Sequence, residues 1–491
     1  MKRGRERELK LSASPSLRIP PLDGIADGVS AVAREPVRLL ATYLDTDDLR
    51  LARAGVTLRH RTAEGWTLKL PAGDDGSFLV RCEFVFPGDV RHPPAEAVDL
   101  VRAYTRSAAL GTQARLRTVR RVVELRNGDG SLAAEVSDDE VSVLDGRRVA
   151  ARFRELEVEL QPVAPESLAF RVAEALQEAG AGAPEQTPKL VRALGSRAEE
   201  PPDVMVPAAS GATAGDVVRR ALASSVARLV VHDPVTRLDA DREGVHQMRV
   251  ATRRLRSDLR TFGAVVDADW SRELRGDLGR LAGLLGAVRD ADVLLERFRS
   301  RAGSVVGAEP VLAALATQRA EAFTELMGEL RGEEYAQLLD RLVEAAREPA
   351  LTPAAAERAR DVLPGQARSR WRALAKAARK LGDDPSAEEL HDVRIRVKRC
   401  RYAVEAVEPT LGKGAAAFAR GLARLQDRLG ELNDASVAEA WLREWVRQRR
   451  GAAVFAAGEL AGLELAEAAA SRRGWRKAWK SAAASVPTAL R

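Results

Sequence analysis

The segment Arg5-Glu6-Arg7-Glu8-Leu9-Lys10-Leu11 sets a charge pattern of period two near the start of the chain. Successive side chains of an extended strand point to opposite faces. Glu6, Glu8 and Lys10 therefore share one face and Leu9 and Leu11 the other, with same-face neighbours about 6.6 Å apart. The pattern returns at Glu155-Leu156-Glu157-Val158-Glu159-Leu160, where three carboxylates alternate with three apolar residues. Between them lie VTLRHR (56–61), WTLKL (66–70), LVRCEFVF (79–86), LRTVRRVVEL (116–125) and LAAEVSDDEVSVL (132–144). These short segments, broken by Gly, Asp and Pro, read as strands. Several carry basic stripes: Arg59 with Arg61, Thr67 with Lys69, Arg81 with Glu83, and Arg117 with Arg120.

One strand with a charged face is ordinarily a strand with a wet side. Nearly every strand here has one, and the helical stretch SLAFRVAEALQEAG (167–180) alone is a thin cover for so many apolar faces. Closing the sheet into a barrel with its charges in the lumen removes the edges and makes a polar tunnel. Carboxylates crowded inside repel one another unless cations sit between them. Such oxygen-rich sites suit Mg²⁺ or Mn²⁺. Facing Arg and Lys groups suit phosphate oxygens. A lumen with both kinds of group fits a metal–triphosphate complex.

The chain has 491 residues, too many for one core, with 45% hydrophobic and 30% charged residues, so two or three globular domains are expected. No apolar run approaches the ~18 residues of a membrane helix, so membrane insertion is not expected. The basic start runs straight into alternating charge rather than a signal-peptide core. Two distant cysteines, Cys82 and Cys400, form no disulfide framework, which points to a reducing cytoplasm. Residues 1–200 hold 30 Lys and Arg against 31 Asp and Glu, whereas residues 201–491 hold 48 against 40. The positive excess lies in the second half, where it attracts polyanions.

The texture changes near residue 200. Pro, Gly and Ala without periodicity at 199–214 read as a linker between a strand domain over 1–198 and a helical domain over 215–491. The second part has a 3.6-residue rhythm and an internal repeat. VHQMRVATRRLRSDL (245–259) aligns with LHDVRIRVKRCRYAV (390–404) at an offset of 145, and LGAVRDADV (285–293) with LGELNDASV (429–437) at an offset of 144. Duplicated helical bundles spanning 245–293 and 390–437 follow. His246, Arg249, Arg253, Arg256 and Arg260 fall on one helical face, as do His391, Arg394, Lys398 and Arg401, with Arg254 and Arg399 beside the stripes. Residues 245–257 contain no acid. Charge runs usually mark a solvated face, but this one recurs together with its histidine in both copies. Asp290, Asp292 and Asp434 either orient these bases from a facing helix or simply cap and pair.

The first domain resembles the CYTH, or triphosphate tunnel metalloenzyme, superfamily. The resemblance rests on Glu6-x-Glu8-x-Lys10, YLDTDDLRL (43–51), LRHR (58–61), Trp66–Lys69, Arg81-x-Glu83, LRTVRRVVEL, AEVSDD, ELEVEL and Lys189, and covers about residues 1–195. It implies an eight-stranded antiparallel tunnel that hydrolyses or cyclises triphosphate-bearing substrates with a divalent metal. It also implies Glu6, Glu8, Glu135, Asp139, Glu157 and Glu159 as the metal-facing set. Lys10, Arg59, Arg61, Lys69, Arg81, Arg117, Arg120 and Lys189 become the phosphate-holding set, and Glu6, Glu8 and Lys10 the catalytic signature. A bulge would exchange Asp138 for Asp139, and which of Arg117, Arg120 and Arg121 turns inward stays open.

HQMRVATRRLR and HDVRIRVKRCR resemble the CHAD domain, a conserved-histidine α-helical module, over about residues 211–490. That resemblance implies two pseudo-symmetric bundles around a basic groove for inorganic polyphosphate, held by His246, Arg249, Arg253, Arg254, Arg256, His391, Arg394, Lys398, Arg399 and Arg401. Asn433 stands where the first copy has Arg289, so the halves need not bind equally. The expected whole is an α+β two-domain, metal-dependent triphosphatase tied to a polyphosphate-binding module, in the cytoplasm and at polyphosphate granules. The alternative is a non-catalytic scaffold that targets such granules. Nucleic acid ranks low as a partner, because the stripes lack interleaved aromatics and Asn or Gln for base readout.

Overall fold

The computed structural model describes residues 2–491 apart from 63, 77, 209–211, 304, 383, 413 and 448. Residues 209–211 of the expected linker thus lie outside the described residues. The chain divides into two compact units, Met1–Asp203 and Val204–Arg491.

Among the described residues the first unit holds ten strands: β1 (Lys2–Ala13), β2 (Ser30–Ala33), β3 (Val37–Asp45), β4 (Thr57–Arg61), β5 (Gly65–Asp75), β6 (Phe78–Phe86), β7 (Gly111–Arg126), β8 (Leu132–Asp145), β9 (Arg148–Leu160) and β10 (Pro184–Glu185). Eight of them run β1-β6-β5-β4-β3-β7-β8-β9, and β1 pairs again with β9, which closes the ring; β2 and β10 are short additions on β7 and β1. Every pairing is antiparallel. The sequence pattern does not reveal β3, because Val37-Arg38-Leu39-Leu40-Ala41 breaks the alternation. At Gly65 (φ +86°) an added Cβ would come 2.6 Å from the Phe86 carbonyl oxygen, so the β4–β5 turn requires glycine there.

The outward apolar residues of β1, β8 and β9, among them Leu9, Leu11, Val136, Leu156 and Val158, pack with Leu168, Val172 and Leu176. Those three come from the helix α1 (Glu166–Glu178). The lumen is not apolar except at one end. There Ala41, Leu116 and Val141 pack with Leu190 and Val191 of α2 (Lys189–Leu194), a helix that closes that end.

The second unit is helical. Its main helices are α3 (Ala214–Leu238), α4 (Arg242–Thr261), α5 (Ala268–Ala302), α6 (Glu309–Arg331), α7 (Glu333–Arg347), α8 (Pro364–Lys380), α9 (Ala387–Ala406), α10 (Ala415–Val446) and α11 (Ala452–Ala484). Capping boxes start α3 (Thr213 with Asp216) and α9 (Ser386 with Glu389), each satisfying otherwise orphaned backbone donors. The repeat is visible as two long hairpins: α4 packs on α5 as α9 packs on α10. The two basic helices, α4 and α9, also touch each other. Gly244 permits the α3–α4 approach, since a Cβ there would meet the Thr236 backbone nitrogen at 2.6 Å.

Candidate active site

Strand parity decides what reaches the lumen. A cavity of about 430 Å³ is lined by Glu6, Lys10, Arg59, Arg61, Lys69, Arg81, Arg120, Glu157, Glu159 and Lys189, with Tyr43 and Glu83. Glu6, Lys10, Arg61, Lys69, Arg81, Glu157 and Lys189 are buried. Of the expected residues, Glu8, Glu135 and Asp139 are not in this lining, and Arg117 corrects the expectation. It is exposed, and lying three residues from Arg120 it cannot share a face with it in a regular strand. The register sets Arg120 opposite Asp139 and Arg121 opposite Asp138. Asp139 is thus the inward acid, while Asp138 bonds Arg154 at 2.7 Å on the outer face.

The charged groups fall into two clusters. In the first, Arg120 holds Asp139 at 2.6 Å and Glu157 at 2.7 Å. Lys10 pairs with Glu157 and Lys189 with Asp139. Glu155 joins them, 3.2 Å from Lys189 and 3.7 Å from Lys10. Burial pushes Glu157 and Asp139 up, but the cations outweigh it: Lys10, Lys189 and Arg120 hold Glu157 well below the carboxylate range, and Lys189 and Arg120 lower Asp139. Glu155 is raised, chiefly by burial.

In the second cluster Lys69 lies 2.6 Å from Glu6 and 3.6 Å from Glu83. Arg81 bonds Glu8 and sits 3.5 Å from Glu6. Burial and the charges of Glu6, Glu8 and Glu135 push Glu159 up to about 7, against the pull of Lys69. Five carboxylates here, Glu6, Glu8, Glu83, Glu135 and Glu159, face two cations, Lys69 and Arg81, an imbalance of three negative charges when all are ionised. Tyr43 completes the wall. Burial raises its phenol, yet Arg59, Arg61 and Lys189 outweigh burial and leave it below its ordinary value.

Carboxylate oxygens of Asp139, Glu155 and Glu157 all lie within 4.8 Å of one another, and neither oxygen of Glu155 has a hydrogen-bond partner among the described residues. This all-oxygen donor set suits a hard divalent cation. Glu155 was absent from the expected metal set, although its parity with Glu157 pointed to it. Tyr43 was missed for lack of a recognisable strand around it.

In the helical unit Arg253 lies among Arg249, Arg394 and Arg401. Burial and these cations lower its guanidinium against the opposing effect of Tyr402, whose hydroxyl it reaches at 3.3 Å. Burial, Arg275, Arg399, Arg370 and Arg256 do the same to Arg260. The stripes of both copies therefore share one strongly positive face. Burial with Arg289, Arg249 and Arg253 lowers His246 against Glu243. The His391 Nδ1 instead lies 2.7 Å from the Asn433 amide oxygen. Asp290 reaches Arg249 at 3.1 Å, whereas Asp292 is buried and pairs with Arg319 at 2.9 Å. Lys398 is half-buried on α9. Arg254 departs from expectation: it pairs with Asp258 at 3.3 Å and with Glu405, so its charge is spent internally.

Fold and site together define a two-part protein, a closed antiparallel tunnel lined with ionised groups and a duplicated helical unit with a basic face. The CYTH domain family matches residues 4–192 and the CHAD domain family residues 220–443; the chain belongs to the proteins that carry a CYTH domain followed by a CHAD domain. It is 33% identical over 472 residues to the uncharacterized protein Rv2226 of Mycobacterium tuberculosis, covering 89% of this chain and 88% of that protein. Among solved structures, the CHAD domain from the plant Ricinus communis is 27% identical, with a TM-score of 0.47 over 57% of this chain and 96% of that one. PptA from Streptomyces chartreusis is 24% identical, with a TM-score of 0.46 over 55% of this chain and 99% of that one. No helix among the described residues is long and apolar enough to cross a membrane.

Proposed function

We propose that the chain is a divalent-metal-dependent hydrolase of triphosphate-bearing substrates, joined to a module that binds inorganic polyphosphate. One observation carries the reading: carboxylates and cations from six strands and α2 interleave around a single cavity. Burying an ion costs several kcal/mol even after relaxation, so a fold that gathers this many gains little stability by it. A polyanionic substrate with its metal gives the arrangement a purpose.

Asp139, Glu155 and Glu157, with Glu6, Glu8, Glu135 and Glu159, are the groups that would hold Mg²⁺ or Mn²⁺. A bound metal supplies charge neutralisation on the phosphoryl group and a water of lowered pKa. The chain's own cations do the rest. Arg59, Arg61, Lys69, Arg81, Arg120, Lys10 and Lys189 exchange their internal partners, carboxylates for all but Arg59, for phosphate oxygens. They orient the terminal phosphoryl group and stabilise charge on the transferred and leaving groups. The apolar plug behind α2 keeps bulk water from that end.

The test is orthophosphate release from tripolyphosphate with Mg²⁺ or Mn²⁺. Activity that disappears in Glu6→Ala supports the proposal. A folded protein inert toward tripolyphosphate and nucleoside triphosphates with either metal would overturn it in favour of a binding scaffold. The positive face of α4 and α9 supports the polyphosphate assignment, tested by salt-sensitive binding of long-chain polyphosphate. A cytoplasmic place beside polyphosphate granules belongs to the same proposal.

A further inference from the structure

A second cavity, of about 390 Å³, lies wholly within the helical unit between α3, α4 and α9, with Asp258, Arg254, Tyr402 and Glu405 in its wall. Asp258 is fully buried. One of its carboxylate oxygens accepts from Arg254 Nε at 3.3 Å; the other, Oδ1, has no hydrogen-bond partner among the described residues. An unsatisfied buried acceptor costs about 1–3 kcal/mol, so it asks for a donor from outside. Burial accordingly pushes Asp258 up to about 7, against the pull of Arg254.

The duplication shows that this chemistry is not inherited from the basic stripe. At the offset of 145, Asp258 is matched by Ala403, Ser257 by Tyr402 and Arg260 by Glu405. Asp258, Tyr402 and Glu405 therefore stand where the two copies diverge, whereas most of the stripe stands where they agree. Arg254 and Arg401 are kept, with Arg399 and Arg256 as counterparts, but of these only Arg254 has an aspartate one turn on.

The charges leave a definite remainder. Arg254 pairs with Asp258 and Glu405, and Arg401 with Glu405 at 3.2 Å, so two cations meet two acids. Asp216, a further acid in the wall, is engaged in the Thr213 capping box and lies 3.5 Å from Arg219. Arg220 and Arg228, also in the wall, pair with no carboxylate among the described residues; Arg220 donates to the Pro207 carbonyl oxygen, which leaves its charge unneutralised, and Arg228 is exposed. Ala221 and Val250 line the space as well. The cavity thus offers a buried acceptor, an apolar waist and two uncompensated guanidiniums.

We propose that this cavity binds a small organic phosphate monoester, its dianion on Arg220 and Arg228 and a hydroxyl or amino group donating to Asp258. The site lies within the helical unit and shares Arg254 and Arg401 with the residues expected to hold polyphosphate, but its anion-binding pair, Arg220 and Arg228, belongs to neither proposed face.

The probes are AMP and glycerol 3-phosphate, titrated calorimetrically into the full chain, with hydrogen–deuterium exchange to locate the bound ligand. At least one probe binds saturably and protects amides within 216–228 and 250–258. Arg228→Glu, an exposed change, weakens that binding at least tenfold, and so does Asp258→Leu. Should Asp258→Leu fail to fold, Arg228→Glu decides alone. The proposal is overturned if neither probe binds, if protection falls only on the tunnel strands, if Arg228→Glu leaves affinity unchanged, or if inorganic phosphate binds the same segments as tightly.

Discussion

Lys69 donates from Nζ to both carboxylate oxygens of Glu6 at 2.6 Å, joining residues 63 apart in sequence. The pair is buried, and desolvation with Arg81 lowers the Lys69 ammonium even though Glu6 raises it. Removing one partner strands the other. Glu6→Gln is expected to lose ~3–5 kcal/mol of stability by urea unfolding as well as hydrolysis. Glu6→Gln combined with Lys69→Met recovers much of the stability and none of the activity. Equal destabilisation of the single and double variants would refute the coupling.

Glu159, brought up to about 7 by burial and by Glu6, Glu8 and Glu135, makes the metal-free protein pH-sensitive. Its folded pKa exceeds its ordinary value, so the stability it contributes is present below about 4.5 and lost as pH rises through about 7. Metal needs the deprotonated form, so Mg²⁺ or Mn²⁺ affinity rises over the same interval. Calorimetric titrations at pH 6 and pH 8 are expected to differ by roughly tenfold in the wild type and much less in Glu159→Gln.

Strand parity separates two arginines that look alike in sequence. Arg120→Ala, which removes a cation from the lumen, is expected to lower kcat/KM for tripolyphosphate by about 10²-fold. Arg117→Ala on the outer face should change it by about twofold or less. Steady-state kinetics on both variants decide, and equal losses would contradict the register.

A comparable contrast divides neighbouring arginines on α4. Substituting Arg249, Arg253 and Lys398 with Ala together should weaken polyphosphate binding and reduce the log–log salt slope by about 2. Arg254→Ala leaves Asp258 and Glu405 without their shared cation, so it should cost ~1–3 kcal/mol of stability with polyphosphate affinity nearly kept. Salt-dependent titrations and thermal unfolding measure the two effects separately.

Period-two charge from Glu6 to Lys10 and from Glu155 to Glu159, and the His-Arg stripes spaced 145 residues apart, were enough to read a polar tunnel followed by duplicated helical bundles. Alternation and helical spacing are properties of the local chain. Parity alone even held Glu155 on the face of Glu157, whereas the choice of Arg120 over Arg117 came from the structure. Other features depend on residues distant in sequence. Which of Asp138 and Asp139 turns inward followed from the register of β8 against β7 and β9. The partner of Lys69 and the diversion of Arg254 to Asp258 and Glu405 followed from packing. The β3 strand is hidden because its neighbours β4 and β7, not its own alternation, make it a strand. Ion pairing in a closed lumen sums charges from strands far apart in the chain, and that sum exists only once the barrel has closed.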